Sequence, residues 1–400
     1  MKLTNNYVFV YPDYVLMKKI LVIHTKYKNQ GGEDVAVRNE IDILSKSFVV
    51  ETLYFENNKL SILSDLIAFL TNHNYKSNKL LRKYIEEFQP DIAIVHNTWF
   101  KANLGIFKVL KKSNIKTFLK IHNFRYVCTS SFQQKAHIFE NNFCQACGMG
   151  FKKNRIFNKY FTNSYIKSLL MIIYGKKYLE VLKDKDINLL VLTNHQKNYI
   201  EEYLEITKPV TVAVNSLEIK KDTSGINSNP TEQSILYGGR VSTEKGVREM
   251  IAAFLTASIE GVTLKIIGDG PDLKYLKSKY CDNEKIRFLG QLSNSEVINH
   301  IQTSNLVATS TKLFEGQPTI LCEASLMGIP SIFPDSGGIS EFFPPEYQFS
   351  FKQLDYKNLE SKIKEFFLLD DPSEVGEKNK KFLEKYLNDN ALVTYLTESF

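Results

Sequence analysis

Four hundred residues, 43% of them hydrophobic and 24% charged, exceed one ordinary core and imply two globular domains of similar size. No apolar run approaches the roughly 20 residues of a spanning helix, the N-terminus lacks a secretory layout, and five cysteines, an odd number, build no disulfide framework, so a cytoplasmic location is expected. The net charge of +7 divides into +13 over residues 1–217 (31 Lys and Arg, 18 Asp and Glu) and −6 over residues 218–400 (20 and 26). The basic half suits either an anionic partner, such as a membrane surface or a phosphate-bearing acceptor, or Lys-rich composition alone.

In chain order, residues 1–16 precede Met17-Lys-Lys-Ile-Leu-Val-Ile, an ordinary protein start, and read as an upstream misread or an added edge segment. Strand-length apolar runs then alternate with amphipathic stretches of helical length, at 20–24, 48–55, 92–96, 117–122 and 189–193. A polar stretch containing Gly225 and Pro230 predicts a linker over 220–233. The alternation restarts at 235–237, 264–267, 286–289, 306–308 and 331–333. This predicts an α/β chain of two facing Rossmann-like domains, 17–219 and 234–385, with a last helix in 386–400 placed to pack back on the first. The ligand cleft should lie between the domains, outside the carboxyl ends of the strands.

Candidate residues of the first half follow the same order. Gly31-Gly32-Glu33-Asp34 opens the first helix at the mouth of the cleft; the glycines serve a ligand loop or only the strand-to-helix turn, and the acids suit a helix N-terminus. His122, just past the strand ending at Ile121, should project into the cleft, although strand-end histidines also commonly pack. The stretch 123–160 is too long for an ordinary connection and is rich in aromatic and basic residues, hence functional or ligand-ordered. Within it Cys128, Cys144 and Cys147, with His137, form a loose zinc set, against which reduced structural thiols are the simpler reading. A helix over 160–183 carries Leu169 to Ile173 among Lys167, Lys176, Lys177 and Lys183, which suits a membrane surface or burial against the sheet. Asp184-Lys185-Asp186 precedes a strand and reads as a solvated turn.

In the second half, Tyr237-Gly-Gly-Arg-Val-Ser-Thr-Glu-Lys-Gly246 sets two glycines and two cations after a strand. Gly239 lets backbone approach an anion, Arg240 offers a fork to phosphate oxygens and Lys245 a point charge; a surface turn with solvated charges is the plainer alternative. Gly268-Asp269-Gly270 has Leu273 where a dinucleotide fingerprint needs its third glycine, which disfavours a dehydrogenase. The strongest signal is Phe314-Glu-Gly-Gln-Pro-Thr-Ile-Leu-Cys-Glu-Ala324. Gly316-Gln317-Pro318 turns into a helix at Thr319 and Ile320, whose free N–H groups suit a diphosphate, while Glu315 and Glu323 accept hydrogen bonds from hydroxyls. A nucleotide sugar presents both groups. A helix-capping carboxylate plus a buried Glu is the structural alternative.

This segment resembles the Glu-x7-Glu element of the family 4 retaining glycosyltransferases of GT-B fold, and the resemblance extends over residues 17–390, through Gly328-Ile-Pro330 and Gly337-Gly-Ile-Ser-Glu341. It implies that Glu315 contacts donor-sugar hydroxyls, Glu323 the nucleotide ribose, and Arg240 and Lys245 the diphosphate. It places Gly31 and Gly32 near the diphosphate and acceptor, and His122 beside the donor sugar and the reacting centre. Backbone near Gly268, Gly270 and Leu289 would select the base. Many members carry Phe-Gly-Leu where this chain has Gln317-Pro318-Thr319, and many related transferases carry a fourth cysteine where Tyr160 stands.

The resemblance implies transfer with retention to a saccharide or lipid-linked acceptor for cell-surface polysaccharide. No cofactor or divalent metal is expected, no nucleic acid partner, and docking is expected on the inner face of the plasma membrane. A nucleotide-sugar epimerase of double-Rossmann form and a non-catalytic nucleotide-sugar-binding protein are the alternatives.

Overall fold

The computed structural model describes residues 17–26, 31–56, 62–99, 101–124, 159, 164–217, 232–387 and 390–400. The extension 1–16, the linker but for residues 232 and 233, and the cysteines of the long loop lie outside them.

The first half contributes β1 (Lys19–Lys26), α1 (Gly32–Leu44), β2 (Val49–Glu56), α2 (Ile62–Thr71), α3 (Tyr75–Phe88), β3 (Ile92–Val95), α4 (Gly105–Lys112) and β4 (Lys116–Ile121). It continues with α5 (Tyr165–Lys183), β5 (Ile187–Val191), α6 (Asn194–Tyr203) and β6 (Val210–Val212). Its six strands pair in parallel in the order β2-β1-β3-β4-β5-β6. Every residue of β3 is buried, as expected for a central parallel strand covered on both faces. The edge strand β2 alternates exposed and covered residues instead.

The second half contributes β7 (Gln233–Gly238), α7 (Val247–Ala257), β8 (Val262–Ile267), α8 (Leu273–Lys279), β9 (Ile286–Gly290), α9 (Asn294–Gln302), β10 (Leu306–Ala308) and α10 (Thr319–Leu326). Then follow β11 (Ser331–Asp335), β12 (Ser350–Lys352), α11 (Tyr356–Phe367), α12 (Ser373–Tyr386) and α13 (Asn390–Thr397). This sheet is also parallel, ordered β12-β11-β10-β7-β8-β9. Each sheet therefore has one point where the chain reverses its direction of travel, between β1 and β3 in the first and between β7 and β10 in the second. Crevices at such points are where open α/β sheets take ligands.

The halves are fastened to each other by specific contacts. Leu396 of α13 is fully buried with Ile20, Val22 and Phe118 of the first sheet, and the Tyr395 ring meets Phe118 edge-on at 6.0 Å. The Glu341 carboxylate, from the second half, accepts from the backbone N–H groups of Asn194 and His195 at 2.8 and 2.7 Å, so it occupies the positive end of α6. A Cβ on Gly338 would come within 2.6 Å of Thr193 Cβ; only glycine permits this approach.

Candidate functional site

β7 and β10 end side by side at the second sheet's reversal point, and the loops leaving them carry the candidate cations and the first candidate carboxylate. The buried Tyr237 hydroxyl donates towards the carbonyls of Arg240 and Lys245, at 3.3 and 3.5 Å, and so curls the loop around itself. Burial, with Glu315 and Glu244 nearby, pushes this phenol well above its usual range and keeps it a donor. Lys245, ending a 3-10 turn over Thr243–Lys245, donates from Nζ to Glu315 Oε1 at 2.6 Å. Thr311 Oγ1 donates to the same oxygen at 2.9 Å. Arg240 has 64% of its side chain exposed and stands 3.8 Å from Glu244, a surface pair of small worth that leaves the guanidinium free to turn towards an anion.

The candidate glycines after β8 are explained by backbone packing. Gly268 takes φ +132°, and a Cβ there would lie 1.9 Å from the Gly239 carbonyl oxygen, so the loops after β7 and β8 touch backbone to backbone. Gly270 packs in the same way on the Val241 carbonyl, and Leu289, half-buried near the end of β9, packs against the domain core.

Glu315 is held by a parallel bridge to Gly337 and by the Gly338 N–H, which donates to its carbonyl at 2.9 Å. Gly316 follows, facing Leu192 and the Gln196 amide of the first domain. Gln317 is buried, and its amide spans to that domain as well: Oε1 accepts from Asn215 N at 2.6 Å and Nε2 donates to Asn215 O at 2.8 Å. Both polar atoms of Gln317 are thus spent on a clamp between the halves, which gives the departure from Phe-Gly-Leu a structural purpose. Pro318 precedes α10 and no side chain caps that helix, so the Thr319 and Ile320 end is open to an anion. Ile320 packs over Gly238, where a Cβ would lie 2.0 Å from Ile320 Cδ1. Glu323, one turn further on, is 7% exposed, and burial pushes its carboxyl up to about 7.

Across the cleft, the loop after β1 meets this helix: a Cβ on Gly32 would lie 3.4 Å from Thr319 Oγ1. Gly31 is the N-cap of α1, and its N–H donates to Asp34 Oδ2 at 2.9 Å, while Asp34 Oδ1 lies 2.9 Å from His24 Nε2. Beside the loop, at the first sheet's reversal point, a small cavity of about 40 Å³ is lined by Glu33, Asn97, Trp99, His122, Asn123 and Tyr174. His122 Nε2 lies 2.8 Å from His96 Nδ1. Burial first, then His96 and Lys120, hold His122 well below the usual histidine range.

Sequence reasoning brought the two sides of the cleft together but missed a buried ionic group under His122. Glu40 of α1, 3% exposed, is ion-paired to Lys120 of β4, 1% exposed, and its Oε1 lies 3.3 Å from His96 Nε2. The available signal was a lysine in the middle of an apolar strand. Asp184 and Asp186 sit at the amino end of β5, remote from the cleft end of that strand, and pair with Lys111 at 3.6 and 2.5 Å. Among the described residues no helix is long and apolar enough to cross a membrane.

Two parallel-sheet Rossmann-like domains facing across a cleft define the GT-B class. Residues 218–385 match the family described as glycosyl transferases group 1. The chain is 27% identical over 177 residues to the O-antigen biosynthesis glycosyltransferase WbnH of Escherichia coli, a match covering 44% of this chain and 48% of that protein. It is 30% identical over 112 residues to glycogen synthase of Mycobacterium tuberculosis, covering 27% of each. The chain thus spans about half the length of WbnH or less of these curated relatives. Among solved structures, HepE of Anabaena in complex with UDP-glucose superposes with a TM-score of 0.68 at 14% identity, covering 95% of this chain and 98% of that one. Sucrose-phosphate synthase of Thermosynechococcus elongatus does so with 0.67 at 14%, with the same coverage. At these identities the likeness concerns the fold.

Proposed function

We propose that this chain is a retaining glycosyltransferase that moves a sugar from a nucleotide-sugar donor to a saccharide or lipid-linked acceptor in cell-surface polysaccharide synthesis. The observation that carries the reading is the Lys245–Glu315 pair beside the uncapped start of α10, with Gly32 against Thr319 across the cleft. A cation, a helix end and a carboxylate within one crevice suit a diphosphate joined to a sugar. The group 1 match over 218–385 supports a transferase over an epimerase or a binder.

In this reading the diphosphate takes Lys245 from Glu315, and the released carboxylate accepts from sugar hydroxyls. Arg240 turns in to share the leaving-group charge, which grows towards the transition state, and the α10 end stabilises the same oxygens. The departing diphosphate oxygen takes the acceptor proton on the face it leaves, giving retention with no paired catalytic carboxylates and no divalent metal. Glu323 accepts from the ribose hydroxyls. The acceptor occupies the first-domain cavity beside His122. The basic first half and the start of α5, where Ile166 is 74% exposed beside Lys167, support docking on an anionic membrane leaflet.

A thermal-shift panel of UDP-, GDP-, ADP- and CMP-sugars, headed by the UDP-glucose bound in the HepE structure, identifies the donor by the stabilisation that tight binding brings. A shift with one base, followed by release of its nucleoside diphosphate on adding acceptor, is expected. Binding with neither release nor epimer would leave only a binder.

A further inference from the structure

We infer that Glu40 and His96 are positioning residues that fix the tautomer of His122, leaving its Nδ1 as an open hydrogen-bond acceptor for a hydroxyl of the bound sugar substrate. This deepens the transferase reading and rests on it. The chain of contacts starts at a charge whose sign is not in question: although burial by itself raises the Glu40 carboxyl, Lys120 and His96 hold it far below the usual carboxylate range, so it is ionised. Its Oε2 accepts from Lys120 Nζ, and its Oε1 lies 3.3 Å from His96 Nε2, an ion-pair contact between two buried atoms that have no hydrogen-bond partner among the described residues.

A ring nitrogen facing a carboxylate at this distance carries the proton, because a lone pair there would repel the charge. Burial holds His96 below the usual range, so it is neutral and has one N–H only. With the proton on Nε2, His96 Nδ1 is an acceptor, and the 2.8 Å contact must be donated by His122 Nε2. His122 is itself neutral, so its remaining nitrogen, Nδ1, bears a lone pair. Nδ1 makes no hydrogen bond among the described residues, and His122 lines the same cavity as Glu33. Neighbouring His24 spends its Nε2 on Asp34 and so leaves Glu40 to His96. One buried carboxylate thus sets the direction of two hydrogen bonds and the character of the atom facing substrate, as ligand orientation is set by outer partners elsewhere.

Replacing the carboxylate by an amide reverses the chain, since Glu40→Gln offers a donor to His96 and turns His122 Nδ1 into an N–H. Long-range proton–nitrogen NMR of the full-length protein labelled with ¹⁵N-histidine, assigned with His96→Gln and His122→Gln, reads the tautomers directly, before any activity is measured. In the wild type, protonated Nε2 and bare Nδ1 are expected for both rings; a protonated His122 Nδ1 overturns the proposal. In Glu40→Gln both rings should switch, and turnover should fall about 10- to 100-fold while donor KM moves less than about threefold. Glu40→Gln/Lys120→Met, which leaves no unpaired buried cation, serves if the single variant does not fold. Switched tautomers with unchanged turnover overturn the assignment of Nδ1 to substrate. Expected tautomers in a wild type that transfers no sugar would sink the transferase reading and leave the Glu40–His96–His122 relay standing.

Discussion

Glu323 is the residue at which the proposed site should conflict with stability, and the conflict can be measured. Its carboxyl is raised from 4.5 to about 7 by burial in α10, so between these values the folded state binds a proton that the unfolded state has lost. The stabilisation is therefore fully present below about pH 4.5 and is lost as pH rises through about 7. That rise, at about 1.4 kcal/mol per pH unit, amounts to about 3 kcal/mol above neutrality. Glu323→Gln cannot ionise, so in urea unfolding it should exceed wild type by about 3 kcal/mol near pH 8 and by less than about 1 kcal/mol near pH 5. Ribose hydroxyls donating to the carboxylate would lower its pKa, so binding of the nucleoside diphosphate at pH 7 should release about half a proton. Calorimetry in buffers of different ionisation enthalpy reads that release, and Glu323→Gln should abolish it and weaken binding. The same pH dependence of stability in both proteins, or proton release that survives the substitution, would refute the reasoning.

Arg240→Ala should lower turnover by about 3 kcal/mol in barrier while weakening ground-state donor binding less, because the leaving-group charge is greatest in the transition state; steady-state kinetics with unchanged turnover would remove Arg240 from the site. Glu315→Gln should impair transfer yet leave nucleoside diphosphate binding intact or tighter, since Lys245 loses its 2.6 Å competitor for the phosphates; weaker diphosphate binding by calorimetry would contradict this. Activity should survive EDTA, and loss restored by Mg²⁺ or Mn²⁺ would place a metal in the reaction. Co-sedimentation with vesicles should require anionic lipid, fall steeply with added salt and weaken in Lys167→Gln/Lys176→Gln, at about 1 kcal/mol per near-surface lysine; protein remaining in the supernatant at low salt would favour a soluble acceptor.

The alternation of apolar runs was legible because central parallel strands are buried on both faces, and runs such as Ile92–Val95 and Leu306–Ala308 stand out from their polar surroundings. The edge strands β6 and β12 were missed, being three residues long and partly exposed, too short to show a period. The Glu-x7-Glu element was readable because its spacing is local. The Glu40–Lys120 pair was not, since its partners are 80 residues apart and meet only when α1 packs on the sheet. Gln317 read only as part of the turn into α10; its tie to Asn215, 102 residues away, depends on how the two halves sit together. The buried Met171 and Tyr174 of α5 match its reading as a helix packed on the sheet, while its exposed start leaves the membrane-surface reading to the vesicle experiment.

The central claim, that the crevice between the domains moves a sugar from a nucleotide, is tested most directly by incubating the protein with a radiolabelled nucleotide sugar and a bacterial lipid extract. Label should pass into the lipid or saccharide fraction with an equal amount of nucleoside diphosphate released, and Lys245→Ala and Arg240→Ala should lose this together. Label that stays on the nucleotide, or that reappears as an epimerised nucleotide sugar, would contradict it.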